Sequence, residues 1–194
     1  FDPHLYLAKN AGFVNQMEVE KLTSGERSLK ALRKNYKVVN YSATYGVGKQ
    51  TLARNTGMSE SEAQTLLDAF WSRNWSVEKV SKDARVRTVL GSDWLYNPVS
   101  GFWHSLRSDK DRFSTLNQST GVYCFDSWVM YCRGFMLKTI GQFHDEVIVL
   151  TEEGEEENTK SKMQTAIDLL NEELQLNVPL GIDVQFGKTY ADVH

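Results

Sequence analysis

Apolar positions recur at helical spacing through the first half of the chain, and the second half mixes helical and alternating periods. The pattern predicts helices over Pro3–Ala11 and Gly25–Ala43. Another is predicted over Ser59–Asn74, with Ser59 and Glu62 as a capping box. Trp75–Leu90 reads as a further helix that stops at Gly91. Asp93–Leu106 alternates aromatic and polar residues around Asn97-Pro98 and Ser100-Gly101, which predicts a β-hairpin. Phe113–Lys138 is apolar nearly all round at helical spacing, so a long buried helix is expected. Short strands should flank Asp145, a helix should run over Glu156–Leu174, and Val178–Phe186 should return as a strand. The fold class is α+β: a helical part, then a part with an antiparallel sheet and a long buried helix.

The segment Arg33-Lys34-Asn35-Tyr36-Lys37, continuing to Tyr45-Gly46, adds chemistry to one of these helices. Thr23 and Glu26 match a capping box, and Gly46 and Gly48 suit the helix end. Arg33, Lys37, Tyr41 and Tyr45 step four apart and therefore share one stripe. Arginine suits bidentate phosphate contact, lysine supplies a mobile point charge, and the rings offer stacking surfaces. The structural alternative is a solvated basic face with two buried tyrosines.

The second chemical feature is His144-Asp145-Glu146, with Phe143 before it and Val147-Ile148-Val149 after it. A tight turn or bulge between two short strands would hold the acidic pair. A hard cation such as Mg²⁺ takes one or two protein carboxylates together with substrate phosphates, and Asp145 meets that need. Acidic residues in turns are also commonly just solvated.

Composition sets bounds on both features. The 194 residues are 41% hydrophobic and 24% charged, as in an ordinary globular chain of one or two domains. The net charge of −3 is unusual for a protein that meets polyanions, so positive charge must be local. Lys30, Arg33, Lys34 and Lys37 form one such cluster, and Arg107, Lys110 and Arg112 form another. Acidic residues concentrate over 152–157, where a solvated turn and helix start are expected. Cys124 and Cys132 lie on one expected helix, too far apart to bond, and read as reduced core thiols in a cytoplasmic setting. No membrane span or signal peptide is seen.

Taken in order, these segments resemble the family A DNA polymerases, the bacterial DNA polymerase I group and its phage relatives. Arg33, Lys37, Tyr41 and Tyr45-Gly46 are similar to the family's nucleotide-binding helix, and His144-Asp145-Glu146 to its motif C. Asp2-Pro3-His4 resembles the Asp-x-His ahead of that helix. Gln118-Ser119-Thr120-Gly121 resembles the start of a long palm helix. Val178-Pro179-Leu180 and Tyr190 to His194 resemble the family's closing strand and terminus. Ser42 stands where the family usually has Gly, and Tyr190 where it more often has Trp.

The resemblance implies a lead-in helix over residues 1–20, fingers over 21–110 and part of a palm over 111–194. It implies that Arg33, Lys37, Tyr41 and Tyr45 bind the incoming nucleotide, with Lys37 also a proton donor to the leaving pyrophosphate. It further implies that Asp145 holds catalytic Mg²⁺, with Glu146 in support. His144, Gln118, Asn117 and Arg112 would contact primer-template DNA. The expected reaction is nucleotidyl transfer from dNTPs to a primer 3′ end in the cytoplasm of a bacterial or phage-infected cell. The family's motif A, which carries the second metal-binding Asp, has no counterpart here. The chain is therefore expected to act as a C-terminal part that needs an N-terminal polypeptide carrying motif A and the thumb. Single-subunit RNA polymerases have a similar helix but a His-Asp-Ser motif C, so Glu146 argues against them. The other reading is a non-catalytic nucleic-acid-binding subunit or relic of this fold.

Overall fold

The computed structural model describes residues 2–23 and 30–193, with side chains described for 2–21 and 33–193. The chain divides into two compact units, residues 1–97 with 101–117, and residues 98–100 with 118–194. The capping box expected from Thr23 and Glu26 lies outside the described residues, apart from Thr23 at the end of a helix.

The first unit begins with α1 (Pro3–Asn10), where Asp2 accepts hydrogen bonds from the backbone N–H of His4 and Leu5 and Pro3 needs no donor partner. A helix absent from the sequence reading follows, α2 (Gln16–Thr23). Its start is closed reciprocally: Asn15 N–H donates to Glu18 Oε2 at 2.8 Å, and Glu18 N–H donates to Asn15 Oδ1 at 2.9 Å. Asn-x-x-Glu was a readable signal for this helix. Then come α3 (Lys30–Thr44), α4 (Lys49–Thr56) and α5 (Glu60–Arg73). The Ser59–Glu62 capping box is present as expected. Leu7, Tyr36, Val39, Leu52, Leu66 and Phe70 from α1, α3, α4 and α5 meet in one buried core.

Arg73, at the end of α5, ties three of these helices together. Its guanidinium donates to Asn40 Oδ1 on α3 at 2.6 Å and to the Pro3 carbonyl on α1 at 2.8 Å. Asn40 is itself buried, and its Nδ2 donates to the Tyr36 carbonyl at 3.0 Å.

The expected helix over Trp75–Leu90 is shorter and gives way to a strand. α6 spans Trp75–Asp83, Ala84 turns extended with ψ 128°, and β1 covers Val86–Val89. Val86, Thr88 and Val89 are β-branched and favour the strand. Leu90 and Gly91 both take positive φ and make the two-residue turn into β2 (Ser92–Tyr96). β3 (Trp103–Leu106) completes an antiparallel sheet of order β1-β2-β3, so the expected hairpin is there with one strand more.

In the second unit the part of a long helix, α7 (Arg112–Gly134), from Gln118 onward packs one face against α8 (Glu156–Leu174). The expectation of all-round burial to Lys138 is corrected in two ways. Cys124, Trp128 and Cys132 are buried on one stripe, while Val122 and Met130 are exposed. The helix ends at Gly134, where Leu137 N–H closes onto the Cys132 carbonyl and Met136 takes φ 59°, and Lys138 opens β4 (Lys138–Phe143) instead. β4 pairs antiparallel with β5 (Glu146–Leu150). Both cysteines are free, and burial pushes the Cys132 thiol up to about 11.

The expected strand over Val178–Phe186 is not formed. Ile182 and Val184 alternate inward onto the core, as a strand's residues would, but no described segment supplies a ladder partner. The Asn171 side chain bonds both the Leu180 N–H and its carbonyl, at 2.7 and 2.8 Å, in place of such a partner. Among the described residues, no helix is long and apolar enough to cross a membrane.

The Arg73 tie yields a stability test. Arg73→Met should lower unfolding free energy by about 1–3 kcal/mol, because Asn40 Oδ1 is left buried without a donor. Urea denaturation measures this, and an unchanged midpoint would show that the tie is dispensable.

Candidate nucleotide and metal sites

In the first unit, α3 has a buried face and an exposed stripe beside it. Tyr36, Val39, Asn40 and Ala43 are buried. Arg33, Lys37, Tyr41 and Tyr45 are all exposed, with Tyr45 just past the helix end. The alternative of two buried tyrosines is therefore wrong, since Tyr41 is 55% and Tyr45 44% exposed. Two exposed rings and two exposed cations thus share one stripe of the helix.

Side chains from α1 converge on this stripe. Arg33 Nε donates to Asp2 Oδ2 at 2.5 Å. Asp2 thus caps α1 with one oxygen and holds Arg33 with the other. Partial burial raises the Asp2 carboxyl, but the Arg33 guanidinium and the Leu5 and His4 amides outweigh it and hold the group below its ordinary value. The His4 ring lies 5.9 Å from the Tyr41 ring, and Lys37 Nζ lies 5.6 Å from the centre of Tyr41. Burial pushes the His4 imidazole down; Asp2 opposes this, and Arg33, Lys37 and Arg73 add to it. Its Nδ1 is buried with no described hydrogen-bond partner.

Gly46 ends this segment at φ 71°, and a Cβ there would come within 3.1 Å of the Lys110 carbonyl oxygen. The positive φ favours glycine there, and the close approach leaves little room for a side chain.

Arg112 is engaged locally. Its guanidinium pairs with Asp109 at 2.8 Å and reaches the Lys82 carbonyl at 3.4 Å. Asn117 and Gln118 are exposed on α7.

In the second unit, the tight turn consists of His144 and Asp145, and Glu146 is already the first residue of β5, paired with Phe143. The bulge lies upstream, between Thr139 and Gly141. A Cβ on Gly141 would fall 2.9 Å from the Phe143 ring. His144 takes φ 46°, a left-handed conformation for a residue with a side chain. Such a conformation persists where surrounding structure enforces it and is common at functional turns. The Asp145 carboxylate is exposed and has no described protein partner. Glu146 is half-buried. The Phe143 ring faces Tyr190 with centroids 6.1 Å apart.

An open carboxylate is a suitable oxygen donor for Mg²⁺, but Asp145 is a single one. Among the described residues, no three His, Cys, Asp or Glu side chains gather as a metal cluster. A metal at Asp145 would need further oxygen ligands, such as water or substrate phosphates, from outside the described residues.

Sequence reasoning missed Asn40 and Arg73, which position α3. A polar residue on the buried stripe of an amphipathic helix was the signal for Asn40; the distant Arg73 had none.

No protein-family profile matches the chain. It is 24% identical over 177 residues to DNA polymerase I of Lactococcus lactis, an alignment covering 82% of this chain and 20% of that protein. It is 23% identical over 201 residues to DNA polymerase I of Helicobacter pylori, covering 91% and 21%. DNA polymerase theta of Caenorhabditis elegans is 23% identical over 206 residues, covering 97% and 12%. The chain thus spans about a fifth or less of these relatives' lengths. Among solved structures it is similar to the polymerase domain of Pol1 from M. smegmatis, in complex with DNA primer-template and dNTP. The TM-score is 0.70 at 18% identity, over 100% of this chain and 35% of that one. The chain therefore has a fold like that of the family A DNA polymerase domain, mixed in helix and sheet, with DNA polymerases as its relatives.

Proposed function

We propose that this chain is part of a family A DNA polymerase and carries its nucleotide-binding helix and one metal-binding carboxylate. The observation that carries the reading is the solvent-facing stripe Arg33-Lys37-Tyr41-Tyr45 on a helix whose other face is buried. On this reading residues 1–20 are the lead-in helix, 21–110 the fingers and 111–194 the palm portion.

Arg33 and Lys37 bind the triphosphate of an incoming dNTP, and Asp2 holds Arg33 in place until phosphate takes over its donors. Lys37 keeps a proton at Nζ and gives it to the leaving pyrophosphate oxygen. Tyr41, against His4, packs beside the sugar, and Tyr45 lies next along the stripe toward the templating base. Asp145, with substrate phosphates and an Asp from the rest of the polymerase, would hold Mg²⁺, with Glu146 supporting the site. Mg²⁺ when bound supplies charge stabilisation at the attacking and leaving oxygens. His144 contacts the primer end. Gln118 contacts minor-groove acceptors common to correct base pairs. Asn117 and Arg112 lie along the duplex, and Arg112 must exchange its Asp109 pairing to do so. The setting is the cytoplasm of a bacterial or phage-infected cell.

The testing experiment is Mg²⁺-dependent primer extension by the chain with and without the remaining polymerase polypeptide that supplies motif A and the thumb. Synthesis is expected only with both. Robust synthesis by the chain alone would refute the need for a complement. DNA binding without incorporation by the complete assembly would favour a non-catalytic subunit.

Two substitution results follow for the assembled enzyme. Asp145→Ala should abolish incorporation while leaving primer-template affinity nearly unchanged, because it removes a metal ligand rather than a DNA contact. Lys37→Ala should slow incorporation by roughly 10²-fold or more, if it both clamps phosphate and donates the proton. Near-normal turnover of Asp145→Ala would remove the metal assignment.

Tyr41 gives a separate test. Its phenol can replace the hydrogen bond of a missing 3′-hydroxyl, whereas Phe leaves neighbouring polar groups unpaired. Tyr41→Phe should therefore reject dideoxynucleotides by orders of magnitude with little loss of normal synthesis. Competitive chain termination measures this, and equal termination by both forms would remove Tyr41 from the sugar.

A further inference from the structure

The first unit carries a second cationic and aromatic surface, away from the α3 stripe in sequence. In the sheet β1-β2-β3, Val86 pairs with Leu95 and Leu95 with His104. Leu95 and Leu106 are buried, so this face of the sheet packs inward. The alternate positions face the other way. Arg87 pairs with Trp94, and Tyr96 pairs with Trp103. Tyr96 N–H donates to the Arg85 carbonyl at 2.9 Å, which puts Arg85 opposite Tyr96. The outward face thus presents Arg85, Arg87, Trp94, Tyr96 and Trp103, with no acidic residue at its positions; Asp93 lies on the other face, bonded to Thr88 at 2.6 Å.

These side chains lie against one another. The Arg87 guanidinium sits 4.0 Å from the centre of the Trp103 ring. Arg85 sits 5.3 Å from Trp103 and 5.5 Å from Tyr96, and the two rings are 5.2 Å apart. Both arginines are exposed, and neither pairs with a carboxylate among the described residues. A guanidinium stacked on a ring is held in orientation without spending its N–H donors. The result is unneutralised positive charge beside aromatic surface, on a chain whose net charge is −3.

This combination matches a ligand with regularly spaced anions and exposed flat faces. Single-stranded nucleic acid has both: phosphates for the guanidinium donors, and unpaired bases to lie on ring and guanidinium planes. A duplex hides its base faces and offers phosphate alone. An acidic protein segment would satisfy the charge but leave the stacked planes unused. We propose that the outward face of β1-β2-β3 binds single-stranded DNA through Arg85, Arg87 and the Tyr96–Trp103 ring pair. The proposal goes beyond nucleotide binding at α3 and does not rest on it.

The test is equilibrium binding of labelled oligothymidine to the full chain by fluorescence anisotropy, over a series of salt concentrations. The double variant Arg85→Gln/Arg87→Gln should weaken binding by roughly tenfold or more. It should also flatten the slope of log K against log salt by about 1.4, from two lost contacts of about 0.7 each. Arg87→Lys should keep the slope but lose affinity, because it keeps the charge and loses the plane. The same double variant should lose less affinity for a blunt duplex of equal length than for the single strand. Far-UV circular dichroism checks the fold of each variant, and Arg87→Lys alone decides if the double variant unfolds. Unchanged affinity in a folded variant would overturn the proposal. So would equal losses for single strand and duplex, which would reduce the face to general electrostatics.

Discussion

The guanidinium of Arg73 is the contact on which the placement of α3 depends. It satisfies the buried Asn40 and the Pro3 carbonyl together, so the end of α5 fixes both α3 and the start of α1. Burial lowers the Arg73 pKa, with Tyr6 opposing, yet arginine remains charged at any physiological pH. A charged group in this position is sustained by hydrogen-bonded partners rather than by packing alone. With Asn40 anchored inward, the rotation of α3 about its axis is set. The stripe Arg33-Lys37-Tyr41-Tyr45 winds away from the buried Tyr36-Val39-Ala43 side of the helix and lies in solvent.

The same junction organises the electrostatics. Asp2 caps α1 and restrains Arg33, while His4 packs near Tyr41 in a form biased to neutral. Positive charge is therefore concentrated on one helix face of an acidic chain, where it is not averaged out by net composition. At the His144-Asp145 turn a different device serves. Backbone in the left-handed region and a two-residue connection hold one carboxylate out in solvent, with no protein partner among the described residues.

Much of this was legible in the residues. The stripe follows from four-residue spacing alone, and the Ser59–Glu62 box and the Glu156–Leu174 helix stand as read. What failed did so for stated reasons. Trp75–Leu90 has apolar residues at helical period, but β-branched Val86, Thr88 and Val89 ahead of a turn carrying Gly91 favour a strand. The reading of Phe113–Lys138 ran through Gly134 because Phe135 and Leu137 prolong the apolar pattern past the true end. Val178–Phe186 has the alternation of a strand, but a strand is a pairing, and a single sequence does not reveal whether a partner edge is present. The Arg73–Asn40 contact joins residues 33 apart and has no local signature.

The most direct test of the central claim is a nuclear magnetic resonance titration of the labelled chain with a non-hydrolysable dNTP, which detects weak binding without requiring catalysis. The account predicts that the perturbed side chains centre on Arg33, Lys37, Tyr41 and Tyr45, with Asp2 and His4 responding as Arg33 changes partner. Perturbation that leaves α3 untouched, or that centres elsewhere on the chain, would contradict it.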